Sequence, residues 1–287
     1  MKPVATMPAP VVNGIRGVFC DIDDTLTSEG KLTARAYAAL ERLPSGGKLV
    51  IPITGRPAGW CDHIARMWPV DAVVGENGAF YFYYDAARRK LAQRFLFDAA
   101  TRFANRDRMI AVRERILREV PGCALASDQL YRAADLAIDF CEDVPRLPFA
   151  EVDRIVELMR AAGMTAKISS IHVNGWFGDY DKLGMTRILM QERYDVDLAC
   201  EEARYLFVGD SPNDAPMFKF FSNSVGVANV ADFGARLANP PAYVTRGRSG
   251  AGFVEVAERL LAHKSWNGGW AMPRSAPPWG FSPVCWV

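Results

Sequence analysis

The chain has 287 residues, half of them hydrophobic, which is enough to bury a sizeable core and to build two domains. Its 34 basic and 33 acidic residues give a formal net charge of +1, so the overall charge favours neither nucleic acid nor an anionic membrane as a partner. No apolar run approaches the roughly 18 residues of a membrane span, and the first residues lack the long apolar segment of a signal peptide. We therefore expect a cytoplasmic protein.

The cysteine pattern favours neither disulfides nor structural zinc. None of the six cysteines forms a CxxC pair, and several lie in apolar runs such as "VFCDI", which is typical of buried free thiols. The three histidines, His63, His172 and His263, are too scattered to complete a zinc site. We expect reduced thiols, as in the cytoplasm.

Apolar strands and amphipathic helices alternate along the first part of the chain. This alternation predicts a parallel sheet covered by helices. Pro52 is awkward in such a sheet, because a central strand loses a ladder hydrogen bond at proline. The predicted strands cover 15–22, 48–54 and the two arms of 71–85, and the predicted helices cover 32–43 and a segment that begins at Pro57.

The sequence pattern changes after about residue 98. Helices now alternate with strands that can pair antiparallel, which predicts a small α+β insert over 98–180. Within it, the pattern predicts helices over 105–120 and 149–163 and one strand each over 131–143 and 165–178.

The first pattern returns after residue 180. A helix over 181–194, an apolar strand and a further helix over 203–221, two short strands and a closing helix over 250–263 complete the prediction. We therefore predict an α/β fold with a Rossmann-like parallel sheet core, helices on both faces and an inserted α+β domain. The core comprises 1–97 and 181–264, the insert 98–180, and an aromatic tail 265–287, whose four tryptophans favour docking on a surface over simple disorder.

Four polar clusters follow the predicted strands or precede a helix. Ligands of open α/β sheets bind beyond the carboxyl ends of the strands, so these clusters are expected to meet there. Asp21, Asp23, Asp210 and Asp214 would then face Lys182, and so many carboxylates require a cation. Oxygen ligands without soft donors favour Mg²⁺. The clusters are "DIDDT" (21–25), "TGR" (54–56), "DYDK" (179–182) and "GDSPND" (209–214).

In their order and spacing, these clusters resemble the motifs of the haloacid dehalogenase-like phosphatases, namely D-x-D-x-T, T-G-R, a lysine and G-D-x-x-N-D. The resemblance covers about 15–85 and 180–260. The insert resembles the cap of subfamily IIB, which contains sugar-phosphate phosphatases and phosphomannomutases. The family most often has glycine where this chain has Asp24. Because aspartate tolerates a left-handed backbone, we expect Asp24 to accommodate the turn.

The resemblance implies a role for each carboxylate of the first motif. Asp21 would be the nucleophile that forms an aspartyl-phosphate. Asp23 would be the general acid and then the base that activates water. Mg²⁺ would be held by Asp21, the backbone carbonyl of Asp23 and Asp210.

The remaining motifs are implied to hold the phosphoryl group. Thr54 and Lys182 would bind its oxygens and offset the charge of the transition state. Asn213 and Asp214 would anchor Lys182 and the waters of the metal.

Residues of the insert are the candidates for choosing the substrate. With a period of two, Ser170, His172 and Asn174 share one strand face, which suits either hydrogen bonds to sugar hydroxyls or an exposed sheet face. Arg56 is predicted to contact the substrate or the insert. Asn77 either forms a plain tight turn or contacts the substrate.

Three functions stay open at this point. The favoured one is a Mg²⁺-dependent phosphatase of a small phosphorylated sugar or glycosyl phosphate. A phosphosugar mutase of the same fold is the nearest alternative, and "ISSIHVNGWFGDYDK" loosely resembles the phosphomannomutase cap. A non-catalytic sugar-phosphate binding protein is disfavoured because every motif carboxylate and the lysine are intact.

Overall fold

The structure is a computed structural model, and it describes residues 1–169 and 171–262. The predicted tail 265–287 and Ser170 lie outside the described residues. The strands are β1 Lys2–Pro3, β2 Gly17–Cys20, β3 Leu49–Pro52, β4 Val73–Gly75, β5 Phe80–Asp85, β6 Lys90–Phe95, β7 Ala124–Leu125, β8 Leu136–Asp139, β9 Thr165–Ile168, β10 His172–Trp176, β11 Tyr205–Gly209, β12 Ser224–Gly226 and β13 Tyr243–Val244. The helices are α1 Ala9–Gly14, α2 Ala34–Ser45, α3 Ala58–Met67, α4 Ala99–Glu119, α5 Phe149–Ala161, α6 Lys182–Tyr194, α7 Leu198–Glu201, α8 Ala215–Phe220 and α9 Ser249–Leu261.

A six-stranded parallel sheet forms the centre of the fold, in the order β1-β13-β12-β11-β2-β3. Successive residues of a strand point to opposite faces, and β2 divides its side chains in this way. Val18 and Cys20 join an apolar cluster with residues of α2 and α9, whereas Phe19 joins a second cluster with residues of α6 and α8. The predicted parallel sheet with helices on both faces is therefore confirmed.

Pro52 ends the edge strand of this sheet without disturbing its pairing. Leu49 and Ile53 donate their backbone N–H groups to the β2 side, at 2.9 and 2.7 Å from the carbonyls of Arg16 and Cys20. The even-numbered residues point their N–H groups to the other side, where Val50 donates to Asp71 Oδ2 and Thr54 donates to the carbonyl of Val74. Because Pro52 lies on that outer side, its missing N–H removes no hydrogen bond from the ladder with β2.

Residues 98–180, called the insert below, contain a second sheet in the order β7-β8-β10-β9, and all of its pairs are antiparallel. Helix α5 packs against this sheet, with Val152 and Ile155 in the same apolar cluster as Val173. The prediction of a single strand over 165–178 is wrong. Strands β9 and β10 are two separate strands there and pair antiparallel, with Val173 opposite Ile168.

A third, antiparallel sheet joins β4, β5 and β6, and a bridge between Ile53 and Val74 connects it to the central sheet. None of the five cysteines in the described residues forms a disulfide. Cys20 in "VFCDI" is buried as predicted, whereas Cys141 in the apolar run "IDFCED", for which burial was also expected, is only partly buried. None of the helices in the described part of the chain combines the length and the apolar content that a bilayer crossing requires.

Candidate active site

Three neighbouring strands deliver the predicted motifs to one edge of the central sheet. Asp21 directly follows β2, Asp210 directly follows β11, and Thr54 lies two residues beyond β3. Because β11, β2 and β3 are adjacent and parallel, their carboxyl ends lie side by side. The sheet topology therefore brings the three motifs together, as the sequence predicted.

Lys182 is the central cation of this edge. It is the first residue of α6, and its Nζ donates to Asp21 Oδ1 and to Asp214 Oδ1, both at 2.8 Å. Asn213 Oδ1 lies at the longer distance of 3.5 Å from the same nitrogen. The predicted anchoring of Lys182 by Asp214 is thus present in the geometry, and all three charged side chains are buried.

Asp210 is held by hydrogen bonds from both sides. Thr25 Oγ1 donates to its Oδ1 at 3.2 Å, and Asn229 Nδ2 donates to its Oδ2 at 3.3 Å. Its backbone N–H donates to Asp214 Oδ2 at 3.1 Å. Thr25 belongs to the first motif, so this bond ties the loops after β2 and β11 together. The sequence did not identify Asn229 as part of the site.

The electrostatics of this cluster are strained without a further positive charge. Burial raises the pKa of Asp21 to about 7, and Asp214 and Asp23 add to the rise while Lys182 opposes it. Burial, together with Asp214 and Asp21, also raises the pKa of Asp210 well above its ordinary value. Burial alone would lower the pKa of Lys182, yet Asp21 and Asp214 raise it above the ordinary lysine value.

The carboxylates are close enough to share one cation. One oxygen each from Asp21, Asp210 and Asp214 lie within 4.8 Å of one another, and all three residues are buried. Three carboxylates against one lysine leave two negative charges in this group. Hard oxygen donors with that excess charge fit a divalent cation such as Mg²⁺. The side chain of Asp214 is the third member of this cluster, whereas the sequence analysis implied the backbone carbonyl of Asp23, which stays a prediction.

Asp23 turns its carboxylate away from this cluster and towards Arg56. Arg56 Nε donates to both Asp23 oxygens, at 2.9 and 3.1 Å, and Nη2 lies 2.8 Å from Oδ1. The guanidinium also lies over the ring of Trp60, 4.3 Å from its centroid. Arg56 is 4% exposed, so it is a buried cation whose charge is matched by carboxylates. Arg56 also makes the predicted contact with the insert, because its Nη2 donates to Glu142 Oε1 at 3.0 Å.

Asp24 adopts the conformation that its position in the motif requires. Its φ is +55°, in the left-handed region that glycine occupies most easily. The expected accommodation of the turn by aspartate is therefore confirmed. The turn is fastened by the backbone N–H of Asp24, which donates to Thr27 Oγ1 at 3.2 Å, and by its carbonyl, which accepts from Asn229 Nδ2 at 3.0 Å.

Thr54 and Asn77 lie next to each other, and the backbone N–H of Asn77 donates to the carbonyl of Thr54 at 3.0 Å. Thr54 is fully buried, and its Oγ1 accepts the backbone N–H of Arg56 at 2.9 Å. Asn77 also lies in the left-handed region, with φ +55°, as a tight turn requires. Within the described residues, however, its buried Nδ2 has no hydrogen-bond partner. A buried amide without a partner points to an acceptor supplied from outside the described residues, such as a bound ligand.

The insert places the polar face of β10 over the carboxyl ends of β11, β2 and β3. His172 and Asn174 are buried and line one cleft with Asp21 and Asp23. Asn174 Nδ2 donates to Asp135 Oδ2 at 2.9 Å. The shared face of His172 and Asn174 is as predicted, and Ser170, the third predicted member, lies outside the described residues. Ile171 also lines the cleft, because β10 begins only at His172.

Glu76 joins the core to the insert and was missed by the sequence analysis. Its Oε1 accepts the backbone N–H groups of Ala58 and Ala133, at 2.9 and 2.8 Å. Its Oε2 accepts those of Ala134 and Asp135, at 2.6 and 3.1 Å. Burial raises the pKa of Glu76, whereas Arg132 and the N–H donors oppose the rise because they favour the carboxylate. Four backbone groups from two parts of the chain thus depend on one side chain.

Arg132 and Glu142 of the insert also contact the loop after β3. Arg132 Nη1 donates to the carbonyl of Gly55 at 2.9 Å, while its other contacts are Asp128 and Asp135. Glu142 Oε1 accepts from Arg56 Nη2 at 3.0 Å. The only sequence signal for Glu142 is its position directly after an apolar strand, in "FCED" (140–143). Its partner Arg56 lies 86 positions away, so the contact itself could not be predicted.

A family model described as haloacid dehalogenase-like hydrolase matches residues 18–103. This stretch contains the first two motifs and α3. Over residues 18–103 the match confirms the resemblance of these motifs to the haloacid dehalogenase-like hydrolases. No curated protein matches the chain.

Solved structures of the same fold cover most of the chain. A protein of Thermoplasma acidophilum has 18% identity and a TM-score of 0.65, covering 86% of this chain and 98% of its own. A sucrose-phosphatase from Synechocystis, in complex with sucrose and phosphate, has 17% identity and a TM-score of 0.57, with 86% and 96% covered. A trehalose-6-phosphate phosphatase related protein has 15% identity and a TM-score of 0.56, with the same coverage of 86% and 96%. At these identities the likeness shows the fold.

Proposed function

We propose that the protein is a Mg²⁺-dependent phosphatase that hydrolyses a small phosphorylated sugar or glycosyl phosphate through an aspartyl-phosphate on Asp21. The observation that carries the proposal is the buried Lys182, which donates to both Asp21 and Asp214. These two aspartates form the buried carboxylate cluster together with Asp210. A reactive carboxylate next to a buried cation and an acidic cation site is what phosphoryl transfer to an aspartate needs.

The metal would be held by the carboxylates of Asp21 and Asp210 and by the backbone carbonyl of Asp23. Asp214 lies in the same cluster, but its oxygens already accept from Lys182 and from the backbone N–H groups of Asp210 and Ser211. Mg²⁺ would supply positive charge that offsets the repulsion between the anionic carboxylate of Asp21 and the anionic phosphate.

The first chemical step belongs to Asp21. Its carboxylate oxygen attacks phosphorus and the bond from phosphorus to the leaving oxygen breaks, while Asp23 gives its proton to that oxygen. In the second step Asp23 takes a proton from a water, the water oxygen attacks phosphorus, and the bond between phosphorus and Asp21 breaks. Phosphate leaves, Asp21 is again a free carboxylate, and Asp23 is again protonated.

Lys182, Thr54 and Asn77 would hold the phosphoryl oxygens. Lys182 already lies 2.8 Å from the attacking carboxylate, so its charge is in place for the transition state. The buried Nδ2 of Asn77, which lacks a partner within the described residues, has a free N–H for a phosphate oxygen. Thr54 contributes from the neighbouring strand end.

The insert, 98–180, would act as the cap that selects the substrate, over a core of 1–97 and 181–264. Its His172 and Asn174, with Ser170, would bind hydroxyl groups of the leaving group. The sucrose-phosphatase and the trehalose-6-phosphate phosphatase related protein share this fold, and their names indicate disaccharide phosphates as substrates. Both support a sugar phosphate for this chain.

The experiment that tests the proposal measures inorganic phosphate release from a panel of hexose phosphates, disaccharide phosphates and glycosyl phosphates, with Mg²⁺ and with a chelator. We expect Mg²⁺-dependent release from one or two members. Return of the phosphoryl group to a sugar bisphosphate, without phosphate release, would instead identify the mutase. Binding of a sugar phosphate without turnover would identify the non-catalytic binding protein.

The charge excess at the candidate cation site predicts a stabilisation by Mg²⁺ alone. At a concentration well above the dissociation constant, a bound ion adds about 2–3 kcal/mol, which raises the thermal midpoint by about 5 °C or more. Differential scanning fluorimetry without substrate measures this shift. We expect Asp210→Asn to remove it, while Asp232→Asn, which changes an exposed aspartate paired with Arg248, keeps it. An equal shift in both variants would contradict the site.

A further inference from the structure

A chain of charged side chains connects the proposed proton donor to the insert. Asp23 lies against Arg56 of the core, and Arg56 lies against Glu142 of the insert, with Nη2 3.0 Å from Oε1. The other oxygen of Glu142, Oε2, lies 2.9 Å from His172 Nε2. Core and insert therefore meet directly behind the carboxylate that would move the proton.

Arg56 fixes Asp23 through a forked contact. Its Nε donates to both carboxylate oxygens, and Nη2 lies 2.8 Å from Oδ1. A planar guanidinium that meets a carboxylate with two nitrogens fixes its orientation as well as its position. The side chain of Asp23 is 19% exposed, so it faces the cleft while Arg56 holds it from behind.

Glu142 is well placed to hold Arg56 in turn. Its backbone N–H donates to Asp139 Oδ1 at 2.7 Å, which fixes the start of the loop after β8. The contact with His172, together with Arg56, lowers the pKa of Glu142 to about 2, so the carboxylate is charged at neutral pH. Asp128 is the other insert carboxylate near Arg56, at 3.5 Å, but both of its oxygens already accept from Arg132.

The insert covers the site in this arrangement. The cleft shared by Asp21, Asp23, His172 and Asn174 has a volume of about 20 Å³, which is room for about one water molecule. A sugar phosphate cannot enter such a space, so the insert has to move away to admit it and then return. The contact between Arg56 and Glu142 breaks and forms with that movement.

We propose that Glu142 is a positioning residue, which couples closure of the insert to the placement of Asp23 for proton transfer by holding Arg56. This inference rests on the proposed phosphatase activity. With the insert away, Arg56 loses Glu142 and is held only by Asp23 itself and the ring of Trp60, so the orientation of Asp23 is less firmly fixed. With the insert closed, Asp23 is held in the cleft. Cleavage that needs a proton is then restricted to enclosed substrate, where bulk water is excluded.

The test compares two substrates that differ in their need for a proton. An alkyl phosphate, such as the sugar phosphate identified by the panel, has an alkoxide leaving group, which is a strong base and needs protonation. The leaving group of p-nitrophenyl phosphate is p-nitrophenolate, a stable anion that needs none. The ratio kcat/KM reports the steps up to departure of the leaving group. We expect Glu142→Gln to lower kcat/KM by about tenfold or more for the alkyl phosphate. For p-nitrophenyl phosphate we expect a change of less than about twofold, because its departure does not depend on the acid.

A matched control is available within the insert. Glu119 has the same side-chain exposure as Glu142, 28%, and also accepts from an arginine, Arg154 at 2.9 Å, but it lies on α4 away from the cleft. We expect Glu119→Gln to leave both substrates unchanged. In the Asp23→Asn background, Glu142→Gln is expected to cause no further loss on the alkyl phosphate, because it acts through Asp23.

Each other outcome overturns the inference. Equal losses on both substrates would assign Glu142 to binding or to folding, and unchanged values on both would leave it without a role in the reaction. An additive loss in the Asp23→Asn background would show that it does not act through Asp23. A wild-type protein that hydrolyses neither substrate would overturn the proposed phosphatase as well, whereas the first three results leave that function standing.

Discussion

Replacing Asp21 by asparagine is expected to lower phosphate release by at least about 10⁴-fold, because the neutral amide cannot act as the carboxylate nucleophile. The substitution nearly preserves shape, so Lys182 keeps a side-chain oxygen within reach. It also removes one charge from a buried carboxylate cluster, so folding is expected to survive. Phosphate release under saturating substrate and Mg²⁺ measures the effect.

Asp62→Asn serves as the control for this variant. Asp62 is an exposed aspartate on α3 paired with Arg66, and it lies outside the carboxylate cluster. We expect its activity to match that of the wild type. A retained activity in Asp21→Asn within about tenfold of the wild type would exclude Asp21 as the nucleophile.

The second large effect concerns stability. Glu76→Ala is expected to lower the free energy of unfolding by about 4 kcal/mol, because four backbone N–H groups lose the buried carboxylate that accepts from them. Glu76→Gln keeps one acceptor oxygen and is expected to fall between the wild type and Glu76→Ala. Urea unfolding monitored by circular dichroism measures these differences.

Glu255, a carboxylate that accepts fewer backbone hydrogen bonds, provides the comparison for Glu76. Glu255 Oε2 accepts only two backbone N–H groups in the described structure, those of Arg246 at 2.9 Å and Gly247 at 3.2 Å, and it is partly exposed. Water can replace those bonds, so Glu255→Ala is expected to cost about 1 kcal/mol. Equal losses in the two alanine variants would show that the bonds of Glu76 are not what joins Ala133–Asp135 to the core.

The sequence predicted best those features that depend on the residue type and its immediate neighbours in the chain. Apolar runs that end in carboxylates predicted strands whose carboxyl ends meet, and Asp21 and Asp210 do lie on neighbouring strands. Asp24 was expected in a left-handed turn because few residues other than glycine and aspartate accept it, and its φ of +55° agrees. Such predictions need no knowledge of distant partners.

The failures occur where the outcome depends on partners far along the chain. Nothing in the local pattern predicts β6, because the charged residues near Lys90 form a strand only by pairing with β5. The antiparallel strands β9 and β10 were read as one strand, because the sequence between them contains no glycine or proline that would mark a turn. Glu76 was missed because three of its four backbone partners lie more than 50 positions away, and Glu142 because its partner Arg56 lies 86 positions away.

The most direct test of the central claim is to trap the phosphoryl group on the enzyme. The protein is mixed with the substrate from the panel and with Mg²⁺, quenched in acid within the first turnovers, digested and analysed by mass spectrometry. We predict one added phosphoryl group on the peptide that contains Asp21, and none in Asp21→Asn. Turnover by the wild type with the phosphoryl group on another residue, or with none on the protein, would contradict a nucleophilic Asp21.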